Sequence, residues 1–166
     1  MRLKTTVCLY GGPGCGKSTT CAGLFYKLKL LGYITEMIRE YIKNWVWENL
    51  PIIDVYQTYF FAKQGREEIV LVKNNLDFIV TDSPLLLTHF YGMKFDKMEQ
   101  QSNASLDMLK NHHQFIKSHG YKIEHYVLTR KKEYNPAGRF QTHDEAIQFD
   151  VEIRAMLDTF GIKYKV

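Results

Sequence analysis

The sequence is poor in cysteine and has no long apolar segment. Its three cysteines, at positions 8, 15 and 21 of 166, match no zinc-ligand spacing. We therefore expect free thiols in a reducing, cytoplasmic setting rather than a metal centre. The apolar run near the N-terminus is too short for a signal peptide, and no segment approaches a membrane span. These absences argue against the disulfide-rich, zinc-binding and membrane classes.

Repeats, low-complexity tracts and long runs of one charge are also missing. Lys and Arg exceed Asp and Glu by only 22 to 18, which gives a net charge of +4. This mild excess suits an anionic ligand, but no Lys/Arg run indicates a nucleic-acid-binding arm. The length is typical of one domain, and we expect a single domain over residues 1–166.

Short β-branched runs alternate with segments of helical periodicity. This alternation predicts an α/β fold, a three-layer sandwich with helices on both faces of a parallel sheet of about five strands. Ligands bind such sheets at the carboxyl ends of the strands. The predicted strands are residues 5–10, 33–38, 76–81, 126–129 and 162–166. The predicted helices are residues 17–31, 39–47 before Pro51, 55–74, 105–119 and 142–159. We also expect a short helix after Pro84 and a polar loop over residues 92–103.

A glycine-rich stretch, GGPGCGKST, follows the first predicted strand directly. It fits Gly-x-x-x-x-Gly-Lys-Ser, the Walker A pattern, between a strand and a helix. Such glycines let backbone N–H groups curl around phosphate oxygens, while the helix presents its positive end. We expect Lys17 to reach the β- and γ-phosphates of ATP and the Ser18 hydroxyl to ligate Mg²⁺. The predicted nucleotide-binding residues are Gly11, Gly12, Pro13, Gly14, Cys15, Gly16, Lys17, Ser18 and Thr19.

Charged residues follow three other predicted strands. Asp82 ends LDFIVT, where it could hold Mg²⁺ or accept a proton, or could cap the next helix. Glu40 is either a base beside the acceptor or a first-turn helix acid. Arg130 and Arg139 lie within a turn-rich segment, residues 130–141, that follows the fourth predicted strand. This segment is either a lid that stabilises the transferred phosphoryl group or a solvated basic loop.

A further set of residues is predicted to bind the acceptor. The side chains of Gln57 and Gln64 share one helical face, so their amides could read a base or could be solvated. Trp45 could stack a base, although buried packing explains a tryptophan more often. His112 and His113 are predicted to lie on the surface. The candidate acceptor-binding residues are Arg39, Trp45, Gln57, Gln64 and Arg66.

The motifs favour phosphoryl transfer over other uses of a phosphate loop. A switch GTPase needs an Asn-Lys-x-Asp element, which the sequence lacks. A motor ATPase needs arginine fingers and a longer chain or partner subunits. The residues therefore predict a kinase that transfers the γ-phosphate of MgATP to a hydroxyl.

Four quoted elements, GGPGCGKST, REYIKNWVW, FIVTDSPLLL and LTRKKEYNPAGRFQTHDEA, carry a resemblance that spans nearly the whole chain. Together they resemble the small P-loop kinases grouped with the kinase domain of the bacterial NAD-salvage regulator. Within that group, DSPLLL and YNPAGR resemble phage 5-hydroxymethyluracil DNA kinases. The resemblance implies a nucleoside- or nucleotide-kinase-like P-loop NTPase fold. It also implies an enzyme of the host cytoplasm that phosphorylates the hydroxymethyl group of a modified base in DNA, towards hypermodified thymidine.

The resemblance also implies residue roles. Lys17 and Ser18 would serve phosphate and Mg²⁺, Asp82 would be the acidic catalytic residue, and Arg130 and Arg139 would be lid arginines.

REYIKNW is also similar to the Glu-Pro-x-x-x-Trp element of deoxynucleoside kinases, with Glu40 matching the base and Trp45 in place, but with Tyr41 instead of proline. Those kinases have Asp-Arg-Ser where this chain has Asp-Ser-Pro at 82–84. Two alternatives stay open. One is a kinase of a free nucleoside or nucleotide, such as nicotinamide riboside or a deoxynucleotide. The other is a non-transferring ATP-binding module that regulates a partner.

Overall fold

Strands and helices alternate along the chain of the computed structural model, which describes residues 3–50, 57–95, 99–131, 133–137, 139 and 141–166. No helix within those ranges is both long and apolar enough to cross a membrane. The elements are β1 (Lys4–Tyr10), α1 (Lys17–Leu30), β2 (Thr35–Ile38), α2 (Ile42–Trp47), α3 (Gln57–Lys73), β3 (Phe78–Thr81), α4 (Leu85–Phe95), α5 (Glu99–Ser118), β4 (Tyr121–Val127) and α6 (His143–Thr159).

The four strands form one parallel sheet in the order β2-β3-β1-β4. β1 lies between β3 and β4, and six of its seven residues are buried, as its continuous apolar run predicts. After β1 the chain crosses to β2 on one side, whereas after β3 it crosses to β4 on the other. The crevice between the carboxyl ends of β1 and β3 is therefore the topological switch point, where such sheets bind ligands.

Helices cover both faces of the sheet, which confirms the predicted layering. Val7 and Leu9 of β1 pack with Cys21 and Leu28 of α1 on one face. On the other face, Cys8 and Tyr10 join a larger apolar cluster contributed by α3, α4, α5 and α6. Alternate residues of one strand thus supply two cores, because successive side chains of a strand point to opposite faces. Leu31, the last residue of the predicted first helix, lies just after the end of α1 and is exposed.

The sequence prediction was wrong about the number of strands and about the region from 92 to 127. Residues 162–166 form only a single parallel bridge, between Tyr126 and Lys165, so the described residues form a sheet of four strands, whereas about five were expected. β4 begins at Tyr121, directly after Gly120 ends α5 with a left-handed φ of 82°. The early half of β4 was missed because polar residues interrupt its apolar pattern.

The polar segment 92–103 is also mostly helical. It contains the end of α4 and the beginning of α5, whose polar residues predicted a loop. The middle of this segment, 96–98, lies outside the described residues, as do Pro51 and positions 55–56 of the predicted third helix.

Candidate active site

The parallel register places several candidate residues at one edge of the sheet. Tyr10 pairs with Val127, Cys8 with Thr81, and Ile38 with Thr81. The residues that follow these strand ends therefore emerge side by side. The phosphate loop, Glu40, Asp82 and Arg130 all lie at this edge.

The phosphate loop has the backbone conformation that its glycines permit. Gly11, Gly14 and Gly16 have φ angles of 140°, 76° and 101°, which a side chain would strain. Gly16 is the N-cap of α1 and offers no side-chain cap, and the first turn of α1 contains no acidic residue. The positive helix end therefore remains available to an anion. The Lys17 ammonium donates to the carbonyls of Gly11 (2.6 Å) and Gly12 (3.1 Å), which holds it across the loop.

Asp82 links the ends of β3 and β2. Its carboxylate is only 4% exposed, and Oδ1 accepts a hydrogen bond from the backbone N–H of Glu40 at 3.0 Å. In the described part of the chain, Asp82 accepts no N–H from α4, so the helix-cap alternative gains no support. One carboxylate thus orients the backbone that carries the other.

Burial and several nearby charged groups shift the pKa of Glu40. Burial raises the pKa of its carboxyl, Lys17 lowers it, and the nearby Asp82 raises it again. Lys43 and Arg139 also act to lower this pKa, but the net pKa stays above the ordinary value. A half-buried carboxylate with a raised pKa, close to the loop lysine, has the properties of a general base.

Arg130 is packed against the phosphate loop and is not a solvated residue. Its side chain is 13% exposed, and its Nε donates to Asp150 Oδ2 at 2.9 Å. Nη2 donates to the carbonyls of Pro13 (2.9 Å) and Ala146 (3.2 Å). Nη1 is buried, and it finds no hydrogen-bond partner among the residues described. For Arg130, the solvated-loop alternative is therefore wrong.

Tyr134, in the segment after Arg130, lies against the phosphate loop. A Cβ placed on Gly14 would lie 3.0 Å from the ring of Tyr134, so the ring covers this glycine. The Tyr134 hydroxyl donates to the Gln141 carbonyl, and the Arg139 guanidinium lies 5.5 Å from the ring centroid. Arg139 Nη1 also donates to the Asn135 carbonyl. Positions 132, 138 and 140 of this segment lie outside the described residues.

Asp150 and Tyr91 lie near the site but were not predicted from the sequence. Asp150 of α6 accepts the N–H of Gly12 at 2.5 Å in addition to its contact with Arg130. Tyr91 of α4 is half-buried, and burial followed by the charges of Glu40, Cys15 and Asp150 raises the pKa of its phenol. No motif marked either residue, because both reach the site only through helix packing.

Gln64 supports the site from α3. It is 4% exposed; its Oε1 accepts the N–H of Tyr41 at 3.3 Å, and its Nε2 donates to the carbonyl of Arg39 at 3.2 Å. Its amide therefore holds the backbone on both sides of Glu40. Gln57 is 7% exposed, so the solvated-face alternative is wrong for both glutamines.

The surface around Trp45 carries aromatic and basic side chains. Trp45 is half-buried and contacts Tyr59 and Phe60 with ring centroids 6.0 and 5.4 Å apart. The Lys63 ammonium lies 5.4 Å from the Tyr59 ring centroid. Trp47 is 63% exposed. The exposed cations of this region include the candidate acceptor-binding residues Arg39 and Arg66.

The prediction that the histidine pair on α5 lies on the surface was wrong, because His112 is buried and His113 is half-buried. His112 is 8% exposed, and its Nε2 lies 2.7 Å from the buried Glu68 carboxylate. Burial lowers the pKa of His113 and of the neighbouring His125 to about 4. His125 Nδ1 is in turn hydrogen-bonded to the Tyr10 hydroxyl at 2.9 Å. This buried polar group supports the strand that leads into the phosphate loop.

Comparison with known proteins assigns the chain to a family. The family described as AAA domain matches residues 6–166. The chain belongs to this family. No curated protein sequence matches this AAA domain.

The solved structures of NadR protein and APE1195 share the fold of this AAA domain. The structure of NadR protein in complex with NR has a TM-score of 0.68 at 14% identity, over 96% of this chain. Only 44% of the NadR chain is covered, so this AAA domain spans less than half of that protein. The structure of APE1195 has a TM-score of 0.50 at 16% identity, over 97% of this chain and 74% of its own. An APS kinase from Mycobacterium tuberculosis has a TM-score of 0.45 at 14% identity, over 95% of this chain and 98% of its own.

Proposed function

We propose that the protein is a single-domain, ATP-dependent kinase that transfers the γ-phosphate to a hydroxyl of a nucleoside-type acceptor. The observation that carries this proposal is the placement of the Glu40 carboxyl near both the loop lysine Lys17 and a second carboxylate, Asp82, which accepts the Glu40 N–H. A module that only bound ATP would not need a half-buried carboxylate with a raised pKa next to the phosphate loop. A kinase needs one, because an acceptor hydroxyl must lose its proton during the transfer.

The residues present fit ATP and Mg²⁺. The loop amides, the Lys17 ammonium and the unpaired Nη1 of Arg130 are donors for phosphate oxygens. The exposed Ser18 hydroxyl and the Asp82 carboxylate are the oxygen ligands that Mg²⁺ prefers. Bound there, Mg²⁺ would neutralise charge on the phosphate oxygens. Arg139, which lies in the segment over the loop, is the second cation for the transferred phosphoryl group.

Within this proposal Glu40 is the base and Asp82 is the metal and positioning carboxylate. Asp82 already uses Oδ1 to hold the Glu40 backbone, which leaves Oδ2 for a metal or its water. The raised pKa of Glu40 suits it to accept the acceptor's proton near neutral pH.

The best candidate acceptor is the 5-hydroxymethyl group of 5-hydroxymethyluracil in phage DNA, in the host cytoplasm. The sequence resemblance supports it. So do exposed side chains of α2 and α3, which include the rings of Trp47 and Tyr59 and the cations Lys63 and Arg66. Cations attract the DNA backbone, and exposed rings can stack an unpaired base. A base within a duplex would have to be flipped out to reach Glu40.

A free nucleoside or nucleotide is the second candidate acceptor. It is favoured by the shared fold with NadR protein, whose structure contains NR. The half-buried Trp45, packed on Tyr59 and Phe60, could line a pocket for a single base as well.

The deciding experiment measures ADP release from MgATP over an acceptor panel. The panel contains free nucleosides, nucleoside monophosphates, plain DNA and DNA that carries 5-hydroxymethyluracil. We expect release with the modified DNA, and an affinity for DNA that falls with added salt. Release with free nucleosides alone would favour the second candidate. Release with none of them, together with tight ATP binding, would contradict the kinase and favour a regulatory module.

Two lysine variants control this assay. Lys17→Ala should abolish transfer, because it removes the ammonium that lies across the loop. Lys27→Ala, at an exposed position in the last turn of α1, should leave transfer unchanged. Full transfer by the Lys17 variant would contradict the assignment of the active site.

A further inference from the structure

Asp150 joins two parts of the site that are far apart in the sequence. Its Oδ1 accepts the N–H of Gly12 at 2.5 Å, and its Oδ2 accepts the Nε–H of Arg130 at 2.9 Å. The two charged side chains are 19% and 13% exposed. This is a shielded ion pair rather than a solvated one, so removing one partner should affect the other strongly.

The hydrogen bonds of Arg130 leave one of its nitrogens free. Nε is paired with Asp150, and Nη2 donates to the carbonyls of Pro13 and Ala146. Nη1 is buried without a partner in the described part of the chain, and it lies 3.3 Å from the place where a Cβ on Gly14 would stand. A buried guanidinium donor is costly to leave unpaired, and a phosphate oxygen over the loop would satisfy it.

We propose that Asp150 is a positioning residue that holds Arg130 against the phosphate loop, with Nη1 aimed at the phosphates of the nucleotide. The proposal rests on the proposed function only in requiring that the loop binds nucleotide phosphate. Arg130 is then a fixed wall of the phosphate site, whereas the resemblance implied a lid arginine. Helix α6 supplies this wall through a close approach, since a Cβ on Gly12 would lie 2.4 Å from the Ala146 carbonyl.

The pairing also decides how Asp150 should affect phosphate affinity. A carboxylate near the loop repels phosphate, so removing an isolated acid would tighten nucleotide binding. If Asp150 instead acts through Arg130, its removal releases the guanidinium and weakens binding. The sign of the change therefore separates a positioning residue from a nearby charge.

Calorimetric titration with MgATP tests this on the full chain. We expect Asp150→Asn to weaken binding by about tenfold, as the loss of a charge-assisted hydrogen bond would. Arg130→Gln should weaken it at least as much, and the double variant should be no weaker than Arg130→Gln alone. Asp158→Asn, at an exposed position on the same helix, should bind like the wild type. Unchanged or tighter binding by Asp150→Asn, or additive losses in the double variant, would overturn the proposal.

Folding of each variant is checked by thermal unfolding, because Asp150 also holds Gly12. If Asp150→Asn fails to fold, Arg130→Lys provides the test instead. Lysine keeps the positive charge but lacks the planar guanidinium, whose Nε can bind Asp150 while Nη1 binds a phosphate. Unchanged MgATP affinity in Arg130→Lys would then contradict the proposal that Nη1 donates to the nucleotide phosphates.

The outcome is separable from that of the acceptor panel. A wild-type chain that binds MgATP but transfers to no acceptor contradicts the kinase and leaves this test intact. A wild-type chain that does not bind MgATP overturns both.

Discussion

Asp82 accepts the backbone N–H of Glu40 at 3.0 Å, so the acid at the end of β3 fixes the position of the acid at the end of β2. The two carboxylates are 42 residues apart in the sequence and meet only because β2 and β3 are neighbours in the sheet. This contact is consistent with the different roles that we propose for the two acids. Asp82 Oδ1 is engaged by the Glu40 N–H, whereas we propose that the Glu40 side chain acts on the substrate.

Glu40→Gln should separate catalysis from stability. We expect kcat to fall by about 100-fold or more, because the base is lost, while the KM for ATP changes little. The acid limb of the pH–rate profile should disappear as well, since the wild-type enzyme loses activity when Glu40 is protonated at low pH.

The same variant should not lower Tm at neutral pH, and we expect it to raise Tm. A carboxyl whose pKa is raised in the folded state contributes stability below its unfolded pKa, and that stability is lost as pH rises through the folded pKa. A glutamine at position 40 stays neutral at every pH, so its variant does not lose this stability as pH rises. Glu36→Gln, at an exposed position of β2, is the matched control and should change neither quantity. A Glu40 variant with full kcat would refute the base assignment.

Asp82→Asn should lower kcat by about 100-fold with little loss of stability. An asparagine keeps an oxygen for the Glu40 N–H but loses the charge that would hold Mg²⁺. Raising the Mg²⁺ concentration should recover part of the activity if the metal role is correct. Unchanged kcat would leave Asp82 with a structural role only.

Gln64→Leu should weaken both the fold and catalysis. It leaves the partly buried N–H of Tyr41 and the carbonyl of Arg39 without their partner, which costs about 1–3 kcal/mol and several degrees of Tm. Because this backbone carries Glu40, kcat should fall too. Gln114→Leu, at an exposed position on α5, should leave Tm within a degree or so of the wild type. Equal Tm values for both variants would contradict the role given to Gln64.

Stability should fall in mild acid because of His113 and His125. Both have a pKa near 4 in the folded protein against an ordinary value of 6.5, so they stay neutral while the unfolded chain takes up protons. Their contribution is complete above about pH 6.5 and is lost progressively towards pH 4. Thermal unfolding across this range measures it. His125→Gln should flatten the pH dependence, whereas His119→Gln, which changes an exposed histidine, should not.

The sequence identified the local parts of the site. The phosphate loop was predictable because its glycines, lysine and serine must be contiguous, with a strand before them and a helix after them. Asp82 and Glu40 could be located because Asp82 directly follows one predicted strand and Glu40 lies two residues after another, and the parallel arrangement brings such strand ends together. The capping box of Thr142 and Glu145, at the start of the predicted helix 142–159, is equally local, since it depends only on residues three apart.

The positions of residues that reach the site from helices could not be predicted. Asp150 contacts Gly12 across 138 residues, and Gln64 contacts Arg39 across 25, with no motif to mark either contact. His112 has the polar neighbours of a surface residue, but the packing of α5 on α3 buries it against Glu68.

The sequence by itself therefore determined which groups can bind phosphate and which carboxylates follow the strands, because backbone conformation and strand order are encoded over short distances. Only the tertiary structure decided how α3 and α6 pack, which side chains they bury, and where Arg130 is held. Those outcomes depend on contacts between distant residues, whose stabilisation arises only when the whole core is assembled.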